Sequence, residues 1–365
     1  MKVCHITSVH KYNDIRISVK ECKSLFDAGF DVHIIAPNTN TSNFKGIKVH
    51  GLKNNYKSRL NRIRKSSKDI FLKAIEINAD VYHFHDPELI YVGLKLLKKG
   101  KKVIYDIHED VPRQIMTKHW IPSYLRSIVS YLFERYENRA AKKFTAIVTA
   151  TPFIKDRFYS INKNTIDIKN YPILSELYIP DVDYMKKENV IAYIGGISEK
   201  RGLFTMVQAL DYEKHTTLKL AGNIPNIDEE NIVRSMKEWA KVEYFGYIDR
   251  EGIKNILNKS RAGLVVLHPE KSYIDALPIK MFEYMAAGIP VIASDFPLWN
   301  EIIIQNSCGI CVDPLDVTAV ANAIQWVIDN PEEAKLMGEN GRKSIEEKYN
   351  WENESKRLIE LYNRI

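Results

Sequence analysis

Asp275 and Glu283 stand eight residues apart in the stretch YIDALPIKMFEYMAAGIPVIASDFP, residues 273–297. Asp275 falls in a loop, and Glu283 in or near the first turn of a helix. Pro278 suits an early helical position. The start of such a helix offers free N–H groups and the positive end of its dipole, which together suit a diphosphate. Lys280 adds a point charge for phosphate. Glu283 can accept hydrogen bonds from both hydroxyls of a ribose, as acidic residues do in nucleotide folds. Asp275 can accept from the hydroxyls of an attached sugar. Ala286, Ala287 and Gly288 allow that helix to pack closely on the next strand. The same spacing also fits a capped surface helix with Asp275 as a turn residue, because acids near helix starts are common.

These residues need elements to position them. The first half of the chain carries six strand-like runs, KVCHIT, DVHIIA, IKVHG, DVYHFH, KVIYDI and TAIVTA. The second half carries NVIAYIG, TTLKLAG, KVEYFG, AGLVVLH, IPVIAS and CGICV. Helical stretches separate them, among them residues 15–29, which Gly29 closes. Apolar strands alternating with helices imply parallel sheets covered on both faces. The expected architecture is α/β, with two doubly wound Rossmann-like domains facing a central cleft and ligands beyond the carboxyl ends of the strands. A chain of 365 residues agrees with two domains. The expected division is residues 1–175, residues 185–350, and a closing helix over 351–365 that crosses back to the first domain. The aperiodic stretch 170–189, with two prolines, is the expected linker.

Composition narrows the partners. Residues 1–180 carry 31 Lys and Arg against 17 Asp and Glu, whereas residues 181–365 carry 22 against 29. The basic half suits an anionic membrane surface, a phosphorylated acceptor or nucleic acid. The run 53–68 holds seven Lys and Arg and no acid. It reads as a solvated helix face or as a patch for anionic headgroups, worth about 1 kcal/mol per basic residue. Ile121, Leu125, Ile128, Leu132 and Tyr136 form a helical stripe that reads as core before membrane. The first residues lead straight into a strand and no apolar run is long enough to span a bilayer, so a cytoplasmic protein, soluble or peripheral, is expected.

Metal and redox chemistry find thin support. Cys308 and Cys311 form C-x-x-C, but CGICVDP reads as a buried strand. His83, His85 and Asp86 in HFHD put two rings on one strand face, without a further ligand cluster in view. Asp181 to Asp183 read as solvated turn residues. No metal is expected to be required. Recognition-helix, zinc-spacing and ribonucleoprotein patterns are missing, which argues against nucleic acid. SVHKYND stands where a dinucleotide-binding dehydrogenase would carry G-x-G-x-x-G.

The segment DALPIKMFEYMAAGIPVIASDFPLWNEII resembles the donor-site signature of retaining glycosyltransferases of family 4, which have the GT-B fold. YIGGISEKRGL is similar to that family's phosphate loop. AGN and VEYFGYIDREGI resemble its nucleobase-side segments. DVYHFHDPELIYVG and IYDIHED resemble its first-domain segments. The likeness runs through nearly the whole chain, including CGICVDPLD and the closing RKSIEEKYNWENESKRLIELY.

The resemblance implies a sugar moved from a nucleoside diphosphate, UDP before GDP, to a glycan or a polyprenyl-diphosphate-linked glycan in cell-surface polysaccharide synthesis, with retention and without metal. It implies that Glu283 holds the ribose, Asp275 the donor sugar, and Arg201 the diphosphate, while His108 approaches the transferred sugar. Ala276, Leu277, Gly196, Gly222 and Tyr247 fall on the donor side, with Tyr247 a candidate to lie against the base. Three departures stand out. Asp275 replaces a glutamate, Pro278 replaces a residue donating a backbone N–H, and Gly196 replaces a second phosphate-binding arginine. HKYNDIRIS lacks paired glycines, so Asp14 and Arg16, with Glu109 and Asp110, are assigned to the acceptor side. A GT-B epimerase or a catalytically dead donor-binding subunit is the alternative.

Overall fold

The computed structural model describes residues 1–52, 59–118, 120–177, 183–212 and 215–365. It divides into two compact units, residues 1–170 with 353–365, and residues 171–352. The division thus falls at the start of the stretch expected as linker, and residues 171–177 join unit 2. Tyr171 is buried there, edge-on to Phe282 and Tyr349.

All twelve expected strands form, and most are short apolar runs that the sheet buries on both faces, whereas the edge strand Val242–Gly246 has no fully buried residue. In unit 1 they are β1 (Lys2–Ile6), β2 (Asp31–Pro37), β4 (Ile47–Leu52), β5 (Val81–Phe84), β6 (Lys102–Ile107) and β7 (Ala146–Thr149). Two further strands, β3 (Ser42–Phe44) and β8 (Thr165–Asp167), are too short for any periodicity to reveal. The sheet order is β3-β4-β2-β1-β5-β6-β7-β8, with only β3 antiparallel. Unit 2 holds β9 (Val190–Ile194), β10 (Thr217–Ala221), β11 (Val242–Gly246), β12 (Ala262–Val265), β13 (Val291–Ser294) and β14 (Gly309–Val312). Their order is β11-β10-β9-β12-β13-β14, all parallel. In each unit the order reverses beside the first strand, between β1 and β5 and between β9 and β12. Such switch points open crevices at the carboxyl ends of the strands.

The first helix differs from a plain α-helix. Residues Ile15–Cys22 wind as a π-helix before the α-helix Lys23–Asp27. Asp14 caps it by accepting from the Ile17 N–H at 3.0 Å. The wide winding brings Arg16 and Glu21 together, with Arg16 Nε 3.1 Å from Glu21 Oε1. Gly29 then takes φ +88°, the left-handed position expected of it.

The stripe read as core is corrected by the structure. Ile121 is buried, but Ile128 and Leu132 are 55% and 60% exposed, and Leu125 and Tyr136 are also exposed. The helix Ser123–Ala141 buries its opposite side through Glu137, Ala140 and Ala141. Trp120 and Tyr124 extend the exposed apolar face. Of the basic run 53–68, residues 53–58 and the side chains through 64 lie outside the described residues, as do Asp181 and residue 182 of the acidic turn. No helix among the described residues is long and apolar enough to cross a membrane.

Candidate functional site

Unit 2 gathers its polar groups around the loop after β9. Gly202 there has φ +82°, and a Cβ on it would lie 2.2 Å from the Val266 carbonyl oxygen. Gly222, after β10, has φ +144°, and its Cβ would lie 1.8 Å from the Gly195 oxygen. Only glycine permits both the backbone angles and these close approaches. The loop is thereby pressed onto the sheet edge, and Gly196 remains exposed with the Arg201 guanidinium against it.

Lys280 is the second residue of the helix Ile279–Ala286, whose start no side chain caps. Its Nζ is buried, makes no hydrogen bond, and sits 3.5 Å from the centre of the Tyr193 ring. Burial first, then the neighbouring Arg201, pushes its pKa well below the ordinary lysine value, with Glu283 opposing. Tyr193 in turn donates to the Gly196 carbonyl at 2.8 Å. Arg201 lies over the Tyr273 ring at 5.8 Å. His268 Nε2 is a second buried nitrogen with no hydrogen-bond partner. This corner holds several donors and few acceptors, which is the chemistry of an anion site.

Glu283 is the fifth residue of that helix, just past its first turn. It is 7% exposed, and its Oε1 accepts from Arg250 at 2.6 Å. Arg250 also donates to Glu176 at 2.7 Å. Sequence reasoning missed this arginine, although it lies in the quoted YIDREGI. Asp275 is exposed at the end of the short helix Lys271–Ile274. The Ala276 carbonyl accepts from the Trp299 indole at 2.7 Å, which anchors the Asp275–Leu277 turn. Pro278 precedes the helix as its cap residue rather than lying within it. Tyr247 is 82% exposed after β11. Cys308 and Cys311 are free thiols, both pushed by burial up to about 12, and so unsuited to redox work.

Unit 1 builds a different cluster. His108 follows β6, and its Nε2 lies 2.7 Å from Asp106 Oδ2. His85 Nδ1 shares the same carboxylate oxygen at 3.1 Å. Arg16 is 5% exposed and is taken up internally: it donates to Asp106 at 3.0 Å and to the Ile168 carbonyl at 2.9 Å. Its burial removes it from the acceptor side and makes it the counter-ion of Asp106. Burial works against the ionised form of Asp106, but Arg16 and then His108 hold its pKa well below the ordinary carboxylate value.

Asp110 is likewise paired, with Arg157 at 3.0 Å, rather than solvated. Glu109 is exposed and accepts from the Gln114 amide. Asp14 pairs with His10 at 3.3 Å. Burial raises the pKa of Asp14, but the His10 contact and the Ile17 N–H outweigh it, leaving a value of about 2. His10, His5 and Glu21 were also missed. His5 sits opposite His83 in the β1–β5 register, so the strand order was the signal that would have found it.

Comparison with known proteins places both units. Residues 177–344 match the model of the glycosyl transferases group 1, and residues 19–166 match that of glycosyltransferase family 4. An MMP α-(1→4)-mannosyltransferase of Mycolicibacterium hassiacum is 19% identical over 297 residues, covering 77% of this chain and 70% of that protein. Other curated relatives are matched over about half of their length. The sucrose-phosphate synthase of Thermosynechococcus elongatus superposes with a TM-score of 0.80 at 19% identity, over 100% of this chain and 98% of the other. The Anabaena protein HepE, solved with UDP-glucose, gives 0.75 at 13% identity, over 100% of both chains. The fold is therefore GT-B.

Proposed function

We propose that this chain, which belongs to the family 4 glycosyltransferases, transfers a hexosyl unit from a nucleoside diphosphate sugar to a glycan or a lipid-linked glycan, with retention. The observation that carries the donor assignment is the buried Lys280 Nζ, which has no hydrogen-bond acceptor and stands beside Arg201 and the Gly195–Gly196 turn. An unpaired buried cation is costly, and a diphosphate is the anion that would match it.

In this reading charge develops on the departing phosphate as the anomeric bond breaks. Arg201, Lys280 and the uncapped start of helix 279–286 stabilise that charge. These groups are fixed before the substrate arrives, so little reorganisation is needed. With two cations and a helix start supplied by the protein, the diphosphate needs no metal. Glu283 holds the ribose through the oxygen that Arg250 leaves open, and Arg250 fixes the carboxylate's orientation. Asp275 serves the donor sugar's hydroxyls. UDP is the preferred carrier, in keeping with the UDP-glucose complex of the Anabaena neighbour.

On unit 1, His108 is assigned to the transferred sugar. Asp106 occupies its Nε2, which orients the ring and leaves Nδ1 for a ligand. Asp14, Glu109 and Asp110 are assigned to shaping the acceptor side, Asp110 through its arginine partner. The exposed Trp120, Tyr124, Ile128 and Leu132 suit a membrane surface carrying a lipid-linked acceptor in cell-surface polysaccharide synthesis. Peripheral attachment to the cytoplasmic face of a membrane follows from that.

A thermal-shift panel of UDP, GDP, CDP, ADP, NAD and a short RNA, with and without EDTA, tests the donor assignment. Stabilisation by one nucleoside diphosphate, unchanged by EDTA, is expected. A shift with RNA or NAD alone, or with none, would overturn it.

A further inference from the structure

The switch point of unit 1 carries a cluster that the transferase reading does not use. His5 on β1, His83 on β5, His85 just after β5, and Glu21 on the π-helix are all buried, at 0%, 0%, 3% and 0% exposure. One ring nitrogen of each histidine and one Glu21 oxygen lie within 4.8 Å of one another. His5 Nδ1 is 2.9 Å from His85 Nε2, and Glu21 Oε2 is 3.9 Å from the former and 4.0 Å from the latter. A tetrahedral zinc with bonds of about 2.0–2.2 Å spaces its ligand atoms roughly 3.4 Å apart, inside this range.

The orientation of each ring supports a ligand at the centre. His85 gives Nδ1 to Asp106 at 3.1 Å and keeps Nε2 for the cluster. His83 meets the Tyr362 hydroxyl with Nδ1 at 2.8 Å, and its Nε2 is buried with no hydrogen-bond partner. His5 meets the same hydroxyl with Nε2 at 3.3 Å and turns Nδ1 inward. Each histidine is thus held from behind by an oxygen, which is how metal-ligating imidazoles are fixed. Both Glu21 oxygens are buried without a hydrogen bond, since the Arg16 Nε at 3.1 Å forms an ion pair without hydrogen-bond alignment. Around the cluster two carboxylates, Glu21 and Asp106, face one guanidinium, Arg16.

We propose that unit 1 holds one zinc ion, bound by His5, His83, His85 and Glu21 as a closed four-coordinate site. Three imidazoles and a carboxylate suit zinc, and the lack of exposure leaves no place for a reacting water, so its role is structural. The ion ties β1, β5 and the π-helix together beneath His108. It is independent of the donor site, which lies in unit 2. Because the site is buried, the ion enters as the chain folds.

The test uses the tag-free full chain made in zinc-supplemented medium. Elemental analysis is expected to give one zinc per chain, and zinc-edge X-ray absorption four N or O neighbours at about 2.0–2.1 Å. His83→Gln and Glu21→Gln are expected to reduce the content below about a tenth of that. Because those variants risk misfolding, the wild-type chain is also unfolded in guanidinium and refolded with ZnCl₂ or with EDTA. The zinc-refolded protein should melt more than about 5 °C higher. Zinc below about 0.1 per chain with identical melts, or full zinc content in His83→Gln, would overturn the proposal.

Discussion

The two units share the order of their six main strands and fill the switch point in different ways. Unit 1 fills the space between β1 and β5 with large polar side chains, His5, His83, His85, Glu21 and Arg16, packed against one another. Unit 2 has glycines at the corresponding place after β9, with Lys280 and Arg201 beside them. Side chains on strands close a site for something small enough to be enclosed. Glycines in a loop open a site to a ligand that brings its own charge. The difference between the units lies in residue size at the strand ends, not in strand order.

Arg201→Ala removes a preorganised cation from the open site, and turnover should fall by about 10²–10³. Near-normal initial rates would transfer that role to Lys280 alone. Glu283→Ala removes a charged acceptor, at about 1.5–3 kcal/mol, so UDP affinity should fall roughly 10- to 100-fold. Circular dichroism should show an intact fold, and unchanged affinity would reject the ribose assignment.

The pH dependence follows from Lys280. Its pKa is depressed in the fold by burial and then by Arg201. The unfolded chain therefore binds the extra proton over the window from that depressed value up to about 10.4. Stability of the ligand-free protein should rise with pH there, by at most about 1.4 kcal/mol per pH unit. Denaturant melts of wild type and Lys280→Met across pH 7 to 10 would show the slope flattening in the variant; equal slopes would mean the lysine stays charged. The smallest effect is expected on the outer face of unit 1. Ile128→Ser with Leu132→Ser should shift stability by no more than about 0.5 kcal/mol per site, because both side chains are exposed. Sedimentation with anionic vesicles should fall severalfold, and unchanged sedimentation would remove the membrane role from this helix.

Much of the architecture could be read from the sequence. Each of the twelve main strands is a β-branched run bounded by turn residues, and local pattern alone identifies it. The residues proposed for the donor side, Lys280, Glu283, Gly196 and Arg201, lie in two short stretches, so they could be named without knowledge of distant pairing. What escaped depends on distant pairing. Arg250 reaches Glu283 across 33 residues, and Glu21 reaches His85 across a sheet and a helix. The histidine cluster around HFHD was not visible because His5 and Glu21 join it from β1 and from a π-helix that no periodicity announces. The exposed stripe on helix 123–141 was misread because a spaced apolar face says that a helix has a covered side, not which partner covers it.

The most direct measurement of the donor site is calorimetric titration of UDP, in buffer containing EDTA, into wild type and Lys280→Met. Removing a buried amine whose charged form the fold disfavours should leave the variant folded and at least as stable. The account predicts metal-independent binding to wild type and at least about tenfold weaker binding to the variant. Equal affinities, or binding to wild type that needs added metal, would contradict it.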